Sequence, residues 1–321
     1  MKNDPIQTAL AALDDIQLGA PDAGKRFSKA LASKSNLIVA KAARIVGDSQ
    51  LAELAGELAA AFGRFLERGS ANSTNSTNST NDKGCVALTA MARALVKLDH
   101  DDADLFRRGM KHIQMEGVWG GSEDTAAELR AVCATGLANS RDTRKLRAMV
   151  ELLTDREWPA RIGAVRAIAT VGSEAAALLL RFKALMGDRE PEVLSECLTG
   201  LLEVDGAEAL PLAAQLVDSK DAEVREAAIL ALGASRRADA IEYLKEKFGA
   251  VADRDTRKCI LLALASSRTE NAIEFLLELI REGSDTAAAL AISAMSIHAG
   301  DARLQEAVEQ AKAGRDRPAS S

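Results

Sequence analysis

The sequence predicts an all-α fold, an α-solenoid built as a superhelical stack of helical hairpins. Three observations lead there. Hydrophobic residues make up 47% of the chain but aromatics only 3%, so the core is built from Ala, Leu, Ile and Val. Ala and Leu are strong helix formers. Apolar residues recur at steps of three and four, the period of a helix with one buried stripe. Finally, one short pattern returns about every 32 residues, the mark of a repeat array.

In chain order, Ile6 to Ile16 predicts a helix, Gly19 to Pro21 a turn, and Asp22 to Ala32 a second helix. Asn36 to Gly47 carries the first weak copy of the repeat pattern. Ser49 to Glu67 is amphipathic, with Leu51, Leu54, Ala55, Leu58, Phe62 and Phe65 on one side. Residues 1–67 therefore read as N-terminal irregular helical repeats. The run at 68–84, RGSANSTNSTNSTNDKG, offers almost nothing apolar to bury. Its side chains compete for backbone hydrogen bonds, so a low-complexity disordered loop is expected. Asn72, Asn75 and Asn78 each begin an N-x-S/T triplet, read as idle because no secretion signal is seen at the N-terminus.

Val86 to Leu98 and Ala103 to Met115 predict a further helix pair. EGVWGGSEDT at Glu116 to Thr125 then departs from everything around it. From Ala126 the period locks in, with copies starting at Leu129, Ala160, Val193, Val224, Thr256 and Ala287. Companion helices recur too: ADAIEYLKEKF at Ala238 aligns with NAIEFLLELI at Asn271, with Leu146, Leu178 and Leu210 in the place of Ile241 and Ile273. Asp155, Asp188, Asp218, Asp253 and Asp285 sit in the turns, where Asp caps a helix and suits its positive end. Gly233, Gly249 and Gly283 read as helix stops. Residues 85–313 are thus one array that continues the same solenoid, and 314–321 a disordered tail.

DAEVREAAILALG, Asp221 to Gly233, carries a family resemblance. Its Asp-x-x-Val-Arg-x-x-Ala-x-x-Ala-Leu-Gly pattern resembles the second helix of HEAT repeats, and more narrowly the bacterial HEAT-like repeats of phycobilisome lyases. The resemblance spans Ala126 to about Ala311 well and Leu37 to Met115 loosely. It implies the stacked-hairpin fold. For function it implies adaptors and scaffolds more than enzymes, because the same architecture serves many jobs.

The repeat register places Arg130, Arg161, Leu194, Arg225, Arg257 and Ala288 on one rung. The resemblance implies that such an arginine ties the turn carbonyls and Asp of a neighbouring repeat; a basic ladder for an acidic partner is the other reading. Cys133 and Cys197 share a rung with Ala164 and Ala228, so they fill small buried positions. No CxxC pair exists, and no disulfide, metal or cofactor is expected. His100, His112 and His298 stand alone, whereas iron-binding HEAT-type hydroxylases carry His-Glu pairs, so that activity is not implied. Asp155, Trp158 and Arg161 could imitate the groove of HEAT-like DNA glycosylases, although Trp158 before Pro159 also reads as a staple at a helix start.

The segment around Trp119 is the strongest candidate site. Gly120 and Gly121 permit close backbone approach, and Ser122 or Asp124 could cap the helix that carries Arg130. The competing reading makes Trp119 a plug at the junction with the regular array. The candidate partner-binding residues are therefore Trp119, Gly120, Gly121, Asp124, Arg130, Trp158 and Arg161. A net charge of -6, with the acidic excess after Ala184, argues against a dedicated nucleic-acid binder. No apolar run reaches the ~20 residues of a membrane span. The expectation is a cytoplasmic, non-catalytic scaffold that binds another protein through its concave surface. A glycosylase-like or bilin-lyase-like enzyme or enzyme subunit, and nucleic-acid binding without catalysis, are the alternatives.

Overall fold

The computed structural model describes residues 5–71 and 82–315. Eighteen α-helices are present among the described residues. The first six are α1 (Pro5–Asp14), α2 (Ala23–Leu31), α3 (Asn36–Asp48), α4 (Ala55–Ala71), α5 (Val86–Lys97) and α6 (Ala103–Met110). A two-stranded antiparallel hairpin follows, β1 (Met115–Val118) and β2 (Gly121–Asp124). Then come α7 (Ala127–Asn139), α8 (Lys145–Leu152), α9 (Trp158–Val171), α10 (Glu174–Met186), α11 (Pro191–Asp205) and α12 (Leu210–Val217). The chain closes with α13 (Ala222–Ala234), α14 (Ala238–Ala250), α15 (Arg254–Ser267), α16 (Glu270–Glu282), α17 (Asp285–Met295) and α18 (Ala302–Arg315).

Two compact units divide at Val171 and Gly172. In the first, the repeat helices stack in succession, α3 on α5, α5 on α7 and α7 on α9. Their companions do the same, α2 on α4, α4 on α6 and α6 on α8. In the second, α11, α13, α15 and α17 stack in order, with α14, α16 and α18 beside them. The pairing follows from the sequence. Each helix has one apolar stripe, which a lone hairpin cannot bury, so neighbours must cover it. Phe62, Leu88, Met91, Phe106, Leu129 and Ile168 are buried in the first unit, and Leu201, Ile229, Leu232, Leu244, Ile260 and Leu276 in the second. The scarcity of aromatics is made good by close approach. A Cβ added at Gly233 would come within 2.5 Å of the Ala263 carbonyl oxygen, so Gly233 is a packing residue inside α13 and not the stop its position suggested.

Several local expectations shift. The α6 helix ends at Met110, and Met115 belongs to β1. Helix α4 runs to Ala71 and Lys83–Cys85 form a 3-10 turn, so both edges of the expected 68–84 loop are structured. The Asn-Ser-Thr run at 72–81 lies outside the described residues. At the other end α18 runs to Arg315, whose guanidinium donates to the Gly283 carbonyl at 2.6 Å and pairs with Asp285. The expected tail at 314–321 is therefore helical at its first two positions, and 316–321 lie outside the described residues. Asp253 caps α15 as expected, accepting from the Thr256 amide at 2.8 Å. Asp218 does not cap α13: Asp221 does, while Asp218 pairs with Lys247. Ser284 caps α17, which displaces Asp285 into the helix. Gly249 lies within α14.

The register of the companion helices also differs. Ile241 is buried on α14, yet Leu178, its counterpart in sequence, is exposed on α10. Helix α10 instead buries Ala176, Ala177, Leu180 and Ala184.

Candidate functional site

The departure from the repeat at Glu116 is a β-hairpin inserted between α6 and α7. Val118 pairs with Gly121 across a two-residue turn of Trp119 and Gly120. Gly120 has φ +93°, a backbone conformation that favours glycine. Strand pairing runs from there to Met115 opposite Asp124.

A buried polar network fastens the base of the hairpin. Arg130 on α7 is 2% exposed. Its Nε and one terminal nitrogen donate to both oxygens of Asp155, each at 2.8 Å. The other terminal nitrogen donates to Asp124 at 2.7 Å and to the His112 carbonyl at 3.0 Å. A bidentate guanidinium between two carboxylates is among the stronger polar arrangements a protein can bury. Asp124 also accepts the Gln114 and Ala126 amides, both at 3.0 Å. Burial pushes its carboxyl up, but these amides and Arg130 outweigh that and hold it below the usual carboxylate range. Gln114 extends the network by donating to Glu116 at 2.6 Å and to the Asp82 carbonyl at 2.7 Å. Glu116 accepts the Gly84 amide at 2.6 Å and the Thr125 hydroxyl at 3.1 Å. Asp82 in turn receives the Ala87 and Leu88 amides at the start of α5. The hairpin base is thus tied to α5, α7 and the turn before α9.

The tip is the opposite. Trp119 is 105% exposed. Val118, next to it at the turn, is exposed, as are Met115 at 57% at the far end of β1 and Ile113 at 66% just before that strand. The plug reading therefore does not hold for Trp119: no junction is covered, because the hairpin carries the indole out into solvent. Asp124 does not cap α7 either, since the cap position falls to Ala126 without a side-chain bond. Ser122 lies within β2.

Of the other candidates, Arg161 is buried on α9 and donates to the carbonyls of Asp155 at 2.9 Å and Arg156 at 3.0 Å. Arg225 donates to the Ser219 carbonyl at 2.9 Å and to the Thr256 hydroxyl at 3.1 Å. Arg257 lies 4.2 Å above the Phe248 ring. Leu194 and Ala288 are buried. The rung is made of internal ties, and the structure gives Arg130, Asp124 and Arg161 partners within the fold. Trp158 opens α9 ahead of Pro159 and stays 44% exposed, so it staples the helix start only in part. Sequence reasoning missed Val118 beside the turn, Ile113 and Met115 exposed near the base, and His112, Gln114 and Glu116 in the network there. The signal was a Trp-Gly pair at the centre of a short segment with its own alternation.

Cys85, Cys133 and Cys197 are buried and Cys259 is partly so. Burial raises every thiol, to about 12 at Cys197 and about 11 at Cys259, which suits packing and not nucleophilic chemistry. No helix among the described residues is long and apolar enough to cross a membrane.

The network makes stability depend on pH. Burial holds the His112 imidazole below the usual histidine value of 6.5. The unfolded chain therefore takes up a proton at a higher pH than the folded one, and stability falls as pH drops below about 6.5. Asp82 acts in the opposite sense. Burial raises its carboxyl above 3.8, so its contribution is present in acid and lost as pH rises. The His112 share is read by difference: urea midpoints at about pH 7.5 and about pH 5 should separate more in the wild type than in His112→Gln. Equal separations would contradict a neutral buried His112.

The family comparison agrees with the architecture. Residues 179–250 match the family model for HEAT repeats. No curated protein matches the chain. Among solved structures, one from the complex of CpcE and CpcF of phycocyanin lyase from Nostoc sp. PCC7120 is 15% identical, covering 94% of this chain and 96% of that one, at a TM-score of 0.34. Human deoxyhypusine hydroxylase, in complex with glycerol, is 20% identical over 82% of this chain and 90% of its own, at 0.30. An engineered protein is 16% identical over 99% and 97%, at 0.34. The chain is an all-α repeat protein, with stacked helical hairpins, whose residues 179–250 match the family model for HEAT repeats.

Proposed function

We propose that the chain is a non-catalytic repeat scaffold whose partner is another protein, and that Trp119 is the anchor of that contact. One observation carries the reading: a fully exposed indole, with Val118 exposed next to it, at the turn of a hairpin with a buried, hydrogen-bonded base. Large apolar side chains left exposed on one short element point to an interaction site. Tryptophan is the residue most enriched among binding hot spots. The fixed base supports the same reading, because a pre-organised loop loses little entropy on binding. The partner surface it fits is an apolar pocket with one hydrogen-bond acceptor for the indole N–H. Of the two places the sequence offered, the concave surface and the Trp119 segment, this reading takes the second. On the α3 and α5 surface Lys97 pairs with Asp48 and Arg93 with Glu128 of α7.

Affinity capture from the source cell with wild-type chain and with Trp119→Ala tests this. A truncated hot spot weakens binding by about 30-fold or more. The expected result is a protein retained by the wild type and lost from Trp119→Ala, with both melting at the same temperature. Retention of the same set by both would overturn the assignment.

A further inference from the structure

The hairpin leaves one edge of its backbone open. The Thr125 amide donates to the Gln114 carbonyl at 3.0 Å, which makes these two a hydrogen-bonded pair of the antiparallel ladder. Such pairs alternate with pairs that exchange no bonds. Glu116 with Glu123 and Val118 with Gly121 therefore bond across the strands, while Met115 and Gly117 aim their amides and carbonyls away from β2. The sheet holds two strands, so no third strand meets these groups among the described residues. Both residues are exposed, and a Cβ added at Gly117 would touch nothing within 4 Å. Ser122 and Asp124 aim outward along β2, but Asp124 is locked to Arg130 and the Ala126 amide, which closes that edge at its base. Side chains along β1 alternate in step. Gln114 and Glu116 turn into the network, and Ile113 and Met115 are exposed.

We infer that the partner docks by adding an extended segment to the free edge of β1, with apolar residues at alternate positions on the Met115 side. This rests on the Trp119 reading and gives the form of the protein that Trp119 anchors. The spacing selects the occupant. Outward amides and carbonyls two residues apart, about 7 Å along the strand, match an extended backbone. A helix bonds its own backbone groups internally and offers none along its length. Strand addition holds a peptide through main-chain bonds, and its alternate side chains supply the choice of sequence. A second copy of this chain fits less well. Pairing β1 with β1 through both Met115 and Gly117 sets the two Glu116 residues directly opposite, and like charges so placed destabilise the pair.

A random linear peptide library displayed on phage, selected on the full chain, supplies the probe. The selected peptides are then titrated against wild type, Gly117→Pro, Gly117→Ala and Trp119→Ala. Proline removes the outward amide without breaking a bond to β2, as edge strands tolerate. Gly117→Pro should weaken binding by about 10-fold, the loss of one hydrogen bond. Gly117→Ala keeps the amide and should bind within about 2-fold of wild type, since its Cβ meets open space. Amide exchange in the wild type gives a second readout that needs no variant. Bound peptide should slow Met115 and Gly117 and leave Glu116, already bonded to β2, unchanged. Peptides that lose Trp119→Ala but hold Gly117→Pro as well as Gly117→Ala would overturn the edge pairing and leave the Trp119 anchor standing. Peptides that lose Gly117→Pro but not Trp119→Ala would do the reverse. A library that yields no binder would overturn the extended segment, and a wild-type dimer abolished by Gly117→Pro would give the edge to a second copy instead.

Discussion

Arg130→Met is expected to destabilise the first unit by about 3–5 kcal/mol, the cost of breaking a buried ion pair by removing one partner. The reason lies in what remains. Asp124 and Asp155 are largely buried, and each would keep its charge without the guanidinium that matches it. The His112 carbonyl would lose a donor as well. Methionine keeps most of the volume, so the loss reports charge and hydrogen bonding and not a cavity. Adding Asp124→Asn and Asp155→Asn to the same chain should return part of the stability, because neutral groups are cheaper to leave buried. Urea unfolding checks both. A loss below about 1 kcal/mol in Arg130→Met would mean that the hairpin is not held by this network.

Leu232→Ala should cost about 2–5 kcal/mol, the range for truncating a fully buried leucine. Leu232 has no exposure, and α13 stacks between α11 and α15, so the surroundings cannot easily collapse into the space. Leu178→Ala is the matched control. It removes the same atoms from an exposed position, and it should change stability by less than about 0.5 kcal/mol. Near-equal losses at the two positions would contradict the register of α10.

That contrast marks where the sequence could be read and where it could not. The repeat helices were legible because each copy's apolar residues must face its neighbours, which imposes one period on all of them. Arg161 and Arg225 behave as the repeat implies, as ties to turn carbonyls. Helix α10 was misread because its leucines continue the pattern on paper. Periodicity says which residues share a face, not which face is buried, and Ala176, Ala177 and Ala184 took the inside. The caps show a related limit. Asp218 and Asp221 are both suitable N-caps three residues apart, and only the structure chooses between them.

The candidate site was legible as a place but not as a shape. EGVWGGSEDT stood out because it lacks the helical period and holds one of two tryptophans. Its folding into a hairpin depends on contacts distant in sequence: Glu116 to the Gly84 amide, Gln114 to the Asp82 carbonyl, and Arg130 to Asp155. No local pattern contains them. They also explain why Asp124 and Arg130 were drawn inward while Trp119, Gly120 and Gly121 stayed exposed.

Hydrogen exchange of the chain alone and with the captured protein tests the central claim most directly. Amides at the turn, Trp119 and Gly120, and along the hairpin edges are exposed and should exchange fast in the free chain. If the hairpin is the docking element, exchange slows at residues 113–121 on binding, while α3, α5 and α7 keep their free-chain rates. Slowing confined to α3, α5 and α7, with the hairpin unchanged, would contradict the account and return the contact to the repeat helices.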